Sequence, residues 1–232
     1  MRTEELIDRL VADAEPVTPL LSPVRRAALW SVAAVACVGL GVLHFGIRGD
    51  DMSGWYRAGV TLRLVLLAAT MWLAVVTAFR LSVPGYDLRA WSRWWPLTLL
   101  GILVALVTAE LLIAAATGDM GSPLRAWKCV RKMAFVGALP AVLAIVLIQR
   151  ARAIEPRWAV LLGVLAAGAA GALTSEIACP IHAPIHVLLW HILPVAASAL
   201  LGVTLGVLFS TRRVNRQGPE PAASGGSSRS DV

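Results

Sequence analysis

The run WPLTLLGILVALVTAELLIAAA, residues 95–116, carries one charge, Glu110, and no proline after Pro96. A hydrocarbon core of ~30 Å takes about 20 helical residues to cross, so a run of this length and polarity is a transmembrane helix. Five more blocks lie to either side of it: Ala27–Ile47, Val60–Phe79, Met133–Ile148, Trp158–Leu173 and Ile185–Phe209. The block from Met133 is short, and reaches full span only if Cys129 and Val130 extend it while Arg131 and Lys132 snorkel to the headgroups. With 58% apolar and 15% charged residues gathered into such blocks, a soluble domain is excluded. A transmembrane β-barrel would alternate polar and apolar residues over segments of about ten, which these unbroken blocks do not. The fold class is all-α: a polytopic membrane protein, a six-transmembrane-helix bundle with a short cytoplasmic amphipathic helix at its N-terminus.

A net charge of +7 would suit a nucleic-acid binder, but the cations follow the topology instead. With the N-terminus inside, the cytoplasmic face receives fourteen Arg, from Arg2, Arg9, Arg25 and Arg26 through Arg80, Arg89, Arg93, Arg150, Arg152 and Arg157 to Arg212, Arg213, Arg216 and Arg229. The outer face receives Arg48, Arg57, Arg125, Lys128, Arg131 and Lys132. That asymmetry satisfies the positive-inside rule, and Trp residues mark both interfaces. The chain is therefore expected in the bacterial inner membrane with both termini cytoplasmic, the bilayer as its medium and no direct contact with nucleic acid.

Residues 1–26 read as a cytoplasmic arm. Thr3 is positioned to cap a helix in which Glu4, Glu5 and Asp8 suit the positive end of the dipole and Leu6, Ile7, Leu10 and Val11 recur at helical spacing. Pro16, Pro19 and Pro23 stop it. Five of the fourteen acidic residues lie here, beside an anionic leaflet that repels them, which favours docking to a protein over adhesion to lipid. The acidic residues also argue against a cleaved signal peptide. Residues 27–210 form the membrane domain, and 211–232, with their SGGSS stretch, a disordered cytoplasmic tail. Small residues in GVLAAGAAGA and at Gly202 and Gly206 permit close helix approach, within the bundle in preference to between copies.

The same topology puts Cys129 at the end of one outer loop and Cys179 in the next, where disulfides can form, while Cys37 lies roughly 15 Å deep and pairs with neither. Two readings stay open for the outer pair, a disulfide and two unrelated buried thiols. A third follows from the run CPIHAPIH: Cys179, His182 and His186, with Glu176 just before and Cys129 across the loop, are ligand types for zinc, cadmium or another soft ion. Arg125, Lys128, Arg131 and Lys132 flank Cys129 and favour its thiolate, the reactive form. Within the spans, Arg63, Glu110 and His191 lie in the outer half, Glu110 and His191 about 9 Å deep, so Glu110 is expected to face Arg63 or His191, as a polar clamp or as a relay. No P-loop, GxGxxG, HExxH or CxxC occurs, so a nucleotide-driven or hydrolytic enzyme finds no support. An integral-membrane metal or redox transporter using the Cys/His loop and Glu110 is the competing class.

Several blocks together resemble the NrsF-type membrane anti-sigma factors: TEELIDRLVADAEPV (3–17), LSPVRRAALW (21–30), FRLSVPG (79–85), WKCVRKMAFVGALPA (127–141) and ACPIHAPIHVLLWHILP (178–194). The resemblance implies a regulator, not an enzyme, that holds an extracytoplasmic-function sigma factor inactive at the membrane and releases it on an outer stress; with that partner, the arm residues Glu4, Glu5, Leu6, Ile7, Asp8, Leu10 and Val11 are the expected docking site, and thiol oxidation or heavy metal at the outer cysteines the expected signal. It assigns signalling to the two cysteines matching Cys129 and Cys179, and Trp190, His191 and Pro194 fit its pattern. His182 and His186 lie outside that pattern.

Overall fold

The computed structural model describes residues 2–13, 20–49, 55–83, 90–118, 127–151, 153 and 155–216. Its helices are α1 (Thr3–Ala12), α2 (Pro23–Phe45), α3 (Trp55–Leu81), α4 (Trp95–Thr117), α5 (Trp127–Arg150), α6 (Pro156–Ala178), α7 (Pro184–Val187) and α8 (Leu193–Arg216). A 3₁₀ turn over Ala90–Trp94 leads into α4, and a π-helical turn over Leu188–Ile192 joins α7 to α8. No strand occurs among the described residues. Six helical stretches are long and apolar enough to cross a membrane: α2, Arg57–Leu81 within α3, α4, α5, α6, and Pro184–Thr211. The chain is a polytopic all-α membrane protein.

The spans run further than hydropathy alone indicates, because capping chemistry sets their ends. Prolines occupy the first turn of α2, α6 and α7, where the missing N–H costs nothing. Ser22 Oγ accepts from the Arg25 N–H at 3.3 Å, so α2 begins four residues before Ala27 and takes Arg25 and Arg26 into the helix. The expected boundary at 26/27 thus falls inside α2. The block from Met133 becomes a full span as α5, starting at Trp127, so Cys129 lies on a helical turn and not in a loop. α6 continues through Thr174–Ala178 until Cys179 and Pro180 end it, which makes Glu176 a helical residue. α8 carries on to Arg216, and residues 217–232 of the expected tail lie outside the described residues.

In α1 the cap position is Arg2, with Thr3 the first helical residue in place of the expected cap; the Glu5 carboxylate accepts the Arg2 N–H at 3.3 Å. Glu4, Glu5, Leu6, Ile7, Asp8 and Val11 are all exposed, and the Leu10 side chain lies outside the described residues.

α6 is the axis of the bundle, packed by α3, α5, α8 and α2, whereas α4 lies at the periphery against α3. In the most apolar window of α6, 83% of residues are buried, against 17% in α4. Small residues make the close approach. A methyl group added at Gly202 would sit 2.7 Å from Leu161 Cα, one at Gly206 2.7 Å from Arg157 Cα, and one at Gly137 2.8 Å from the Ala167 carbonyl oxygen. The glycines of α6 and α8 therefore serve packing within the bundle, as their spacing suggested. The fully buried Trp30 of α2 donates its indole N–H to the Pro140 carbonyl of α5 at 2.8 Å. Arg26, also buried, donates to Ser82 Oγ at 3.0 Å and to the Phe79 carbonyl at 3.4 Å, closing the C-terminal end of α3 with a cation where the helix dipole favours one.

Candidate functional site

At the opposite end of the bundle from Arg26, three elements converge. The first turn of α5 supplies Cys129, the residue after α6 supplies Cys179, and the segment bounded by Pro180 and Pro184 turns the chain into α7 and the π turn, which supply His186 and His191. Ser175 Oγ donates to the Cys129 carbonyl at 3.3 Å, tying α6 to that first turn. Cys129 and Cys179 are free thiols with their sulfurs 3.7 Å apart, and His186 Nε2 lies 3.8 Å from Cys129 Sγ and 3.5 Å from Cys179 Sγ. One donor atom from each of Cys129, Cys179, His186 and His191 lies within 4.8 Å of the other three, and all four residues are buried. The imidazoles of His186 and His191 meet edge to face at 5.4 Å.

Three of these separations match the edges of a metal-binding tetrahedron. A tetrahedral ion with metal–sulfur bonds of ~2.3 Å and metal–nitrogen bonds of ~2.05 Å has S···S edges of about 3.8 Å and S···N edges of about 3.5 Å. The edges among Cys129, Cys179 and His186, at 3.5–3.8 Å, lie close to both values, and the His191 donor lies within 4.8 Å of the other three. Two thiolates would neutralise a divalent cation, which removes the charge penalty of so buried a position. The cluster has the composition and closeness to hold a soft or borderline metal ion, as the ligand types in the sequence suggested. Its membership differs: His191 joins it, and His182 and Glu176 do not.

His182 instead accepts from Arg48 Nη1 at 2.9 Å at its Nδ1. Arg48 also donates through Nη2 to the Glu176 carbonyl, and its backbone N–H donates to the Ile177 carbonyl at 3.2 Å, so it caps the end of α6. Glu176, only 2% exposed, turns its carboxylate to two partners: Oε1 accepts from Arg63 Nε at 2.5 Å and Oε2 accepts from His191 Nδ1 at 3.2 Å. Arg63 Nη1 continues to Glu110 Oε2 at 2.6 Å. Glu110 thus faces Arg63, one of the two partners expected for it, and lines a cavity of about 450 Å³ between α3 and α4 whose walls include Leu62, Leu106 and Ile113. Glu176 is the residue of this chain that sequence reasoning misplaced; the signal was the absence of any helix breaker between Leu173 and Pro180.

Two of the cations around Cys129 lie over aromatic rings. Arg131 stacks over the Trp127 ring at 4.2 Å and Lys132 over the Phe45 ring at 5.0 Å, while Arg125 lies outside the described residues. The hydrogen bonding puts thiolate character on the other sulfur. Cys129 Sγ–H donates to Cys179 Sγ, and with His186 and His191 beside it this holds the Cys179 thiol well below the ordinary thiol range. Cys37, half-buried in α2, is apart from both.

A family model described as "Negative regulator of sigma F" matches residues 10–210. No curated protein matches the chain, and neither does any solved structure. The matched stretch runs from the end of α1 through every span and all four residues of the cluster, and the chain belongs to the NrsF family, the negative regulators of sigma F.

Proposed function

We propose that the protein holds an extracytoplasmic-function sigma factor inactive at the inner membrane and releases it when the Cys129, Cys179, His186 and His191 cluster takes up a soft divalent ion such as zinc or cadmium, or when its thiols are oxidised. The observation that carries this reading is the convergence of four buried sulfur and nitrogen donors within 4.8 Å of one another in a family of sigma-factor regulators. The distribution of arginines supports a cytoplasmic N-terminus and a periplasmic cluster. Within residues 1–26, the part ahead of α2 is the docking arm, with Leu6, Ile7, Leu10 and Val11 as its contact face and Glu4, Glu5 and Asp8 offering charge to a basic partner; the helical bundle carries the signal, and the tail follows α8.

Metal is the better supported of the two signals. An ion gathers all four donors and draws the starts of α5 and α7 onto the end of α6, whereas a disulfide engages the two sulfurs alone. Either event repacks the bundle at that end, and Trp30 links α5 to α2, the helix into which the arm runs. The test is co-purification of the sigma factor with the membrane protein. Cadmium should release it from wild type but not from Cys129→Ser or Cys179→Ser, and deleting residues 1–15 should abolish the complex. Full release from both cysteine variants, or an intact complex without the arm, would overturn the reading.

A further inference from the structure

The geometry points to Glu176 as the positioning residue of the metal site, acting through His191; this rests on the metal reading given above. A neutral imidazole binds a metal through the nitrogen that carries no proton, and the partner of the other nitrogen decides which that is. His191 presents Nδ1 to Glu176 Oε2 at 3.2 Å, and a carboxylate oxygen can only accept from it. In the neutral, metal-binding form of the ring the proton is therefore on Nδ1 and the lone pair on Nε2. That nitrogen is buried and has no hydrogen-bond partner among the described residues. An unpartnered buried acceptor is costly unless something uses it, and the neighbours of His191 in the cluster are two cysteines and a second histidine.

The carboxylate is itself held. Arg63 Nε binds Glu176 Oε1 at 2.5 Å, and the Glu110 carboxylate fixes the guanidinium from the far side at 2.6 Å. Turning Glu176 away from His191 would break an ion pair in an apolar interior, so the ring has one orientation, and one tautomer when neutral. His186 has no such arrangement: its Nε2 faces the sulfurs while its Nδ1 has no hydrogen-bond partner among the described residues. The two imidazoles are thus unequal, and the one anchored by Glu176 is the preset ligand.

The experiment is cadmium titration of the full-length protein in detergent, followed by thiolate-to-metal charge-transfer absorption, with cobalt visible bands reporting four-coordination. In Glu176→Gln the amide oxygen faces Arg63, so the amide NH₂ faces His191 Nδ1, makes that nitrogen the acceptor and places the proton on Nε2. This variant should bind cadmium about 10- to 100-fold more weakly, the range for loss of an outer-shell partner. Glu176→Ala leaves the tautomer free and should lose less, the reverse of what packing alone would give, since Gln keeps the shape of Glu and Ala does not. In the His191→Ala background, Glu176→Gln should cost nothing further. Wild-type affinity in Glu176→Gln, a larger loss in Glu176→Ala than in Glu176→Gln, or additive losses with His191→Ala would each overturn the assignment while leaving the metal site standing. Absence of the charge-transfer band in wild type would overturn the metal reading and this assignment with it. Thermal unfolding without metal identifies a variant that has not folded, and the Ala variant then carries the comparison through the His191→Ala cycle.

Discussion

The indole of Trp30 donates to the carbonyl oxygen of Pro140, 110 residues away along the chain, and both residues are buried. Proline within α5 removes one helical N–H and breaks the regularity of the ladder around it. The Trp30 bond falls beside that irregularity and fastens the first third of α2 to the middle of α5. Trp30→Phe keeps an aromatic ring there but deletes the donor and part of the buried indole, so it should lower stability by about 1–3 kcal/mol in thermal unfolding of the purified protein. If Trp30→Phe unfolds at the wild-type temperature, the bond contributes nothing.

The packing of α8 on α6 predicts a contrast between two glycines. Gly202→Ala drives a methyl group into Leu161 Cα and should cost about 1–3 kcal/mol. Gly39 of α2 has nothing within 4 Å of an added Cβ, so Gly39→Ala should be neutral or stabilise by up to about 1 kcal/mol through helix propensity. Equal effects at the two positions, read by unfolding in the same detergent, would contradict the helix contacts.

The two histidines of the CPIHAPIH run should separate cleanly. His186→Ala removes a nitrogen that lies within 3.8 Å of both sulfurs and should weaken cadmium binding by more than about tenfold, since loss of an outer-shell partner alone costs that much. His182→Ala removes a partner of Arg48 and should leave cadmium affinity unchanged in the same titration.

On α1, Leu6→Glu and Ile7→Glu place charge on side chains that are already exposed. They should leave the unfolding of the bundle within about 0.5 kcal/mol of wild type and sharply reduce retention of the sigma factor in a pull-down. A pull-down unchanged in both would move the docking site off this face.

The membrane plan was legible in the sequence because twenty apolar residues in a row have one physical outcome. The ends were less so: Thr174, Ser175 and Glu176 lower the hydropathy of α6 while adding a further turn to it, and Pro23 and Ser22 start α2 among charged residues. The ligand set was half legible. Cys129 and Cys179 stood out by type and expected side of the membrane, but an α-helix places residues five apart about 140° from each other, so His186 and His191 read as pointing different ways. The π turn over Leu188–Ile192 brings them to one face, with the Leu193 N–H reaching back five residues to the Leu188 carbonyl. Pro194, with no N–H to give to Trp190, was the only trace of this in the sequence. Glu176 and Arg63 could not have been paired from sequence at all, since 113 residues separate them and nothing local selects one helix neighbour over another.

Two buried guanidinium groups hold α3, one near each of its ends: Arg63, carried by α3 itself, binds α6 through Glu176, and Arg26, reaching in from α2, binds the Phe79 carbonyl and Ser82. From residue 63 to residue 79 is about 24 Å along the axis. A helix gripped at both extremities behaves as a torsion shaft. It cannot turn about its own axis at one clasp without loading the other, so a quarter-turn that frees Arg63 from Glu176 also drags the carbonyl that Arg26 holds.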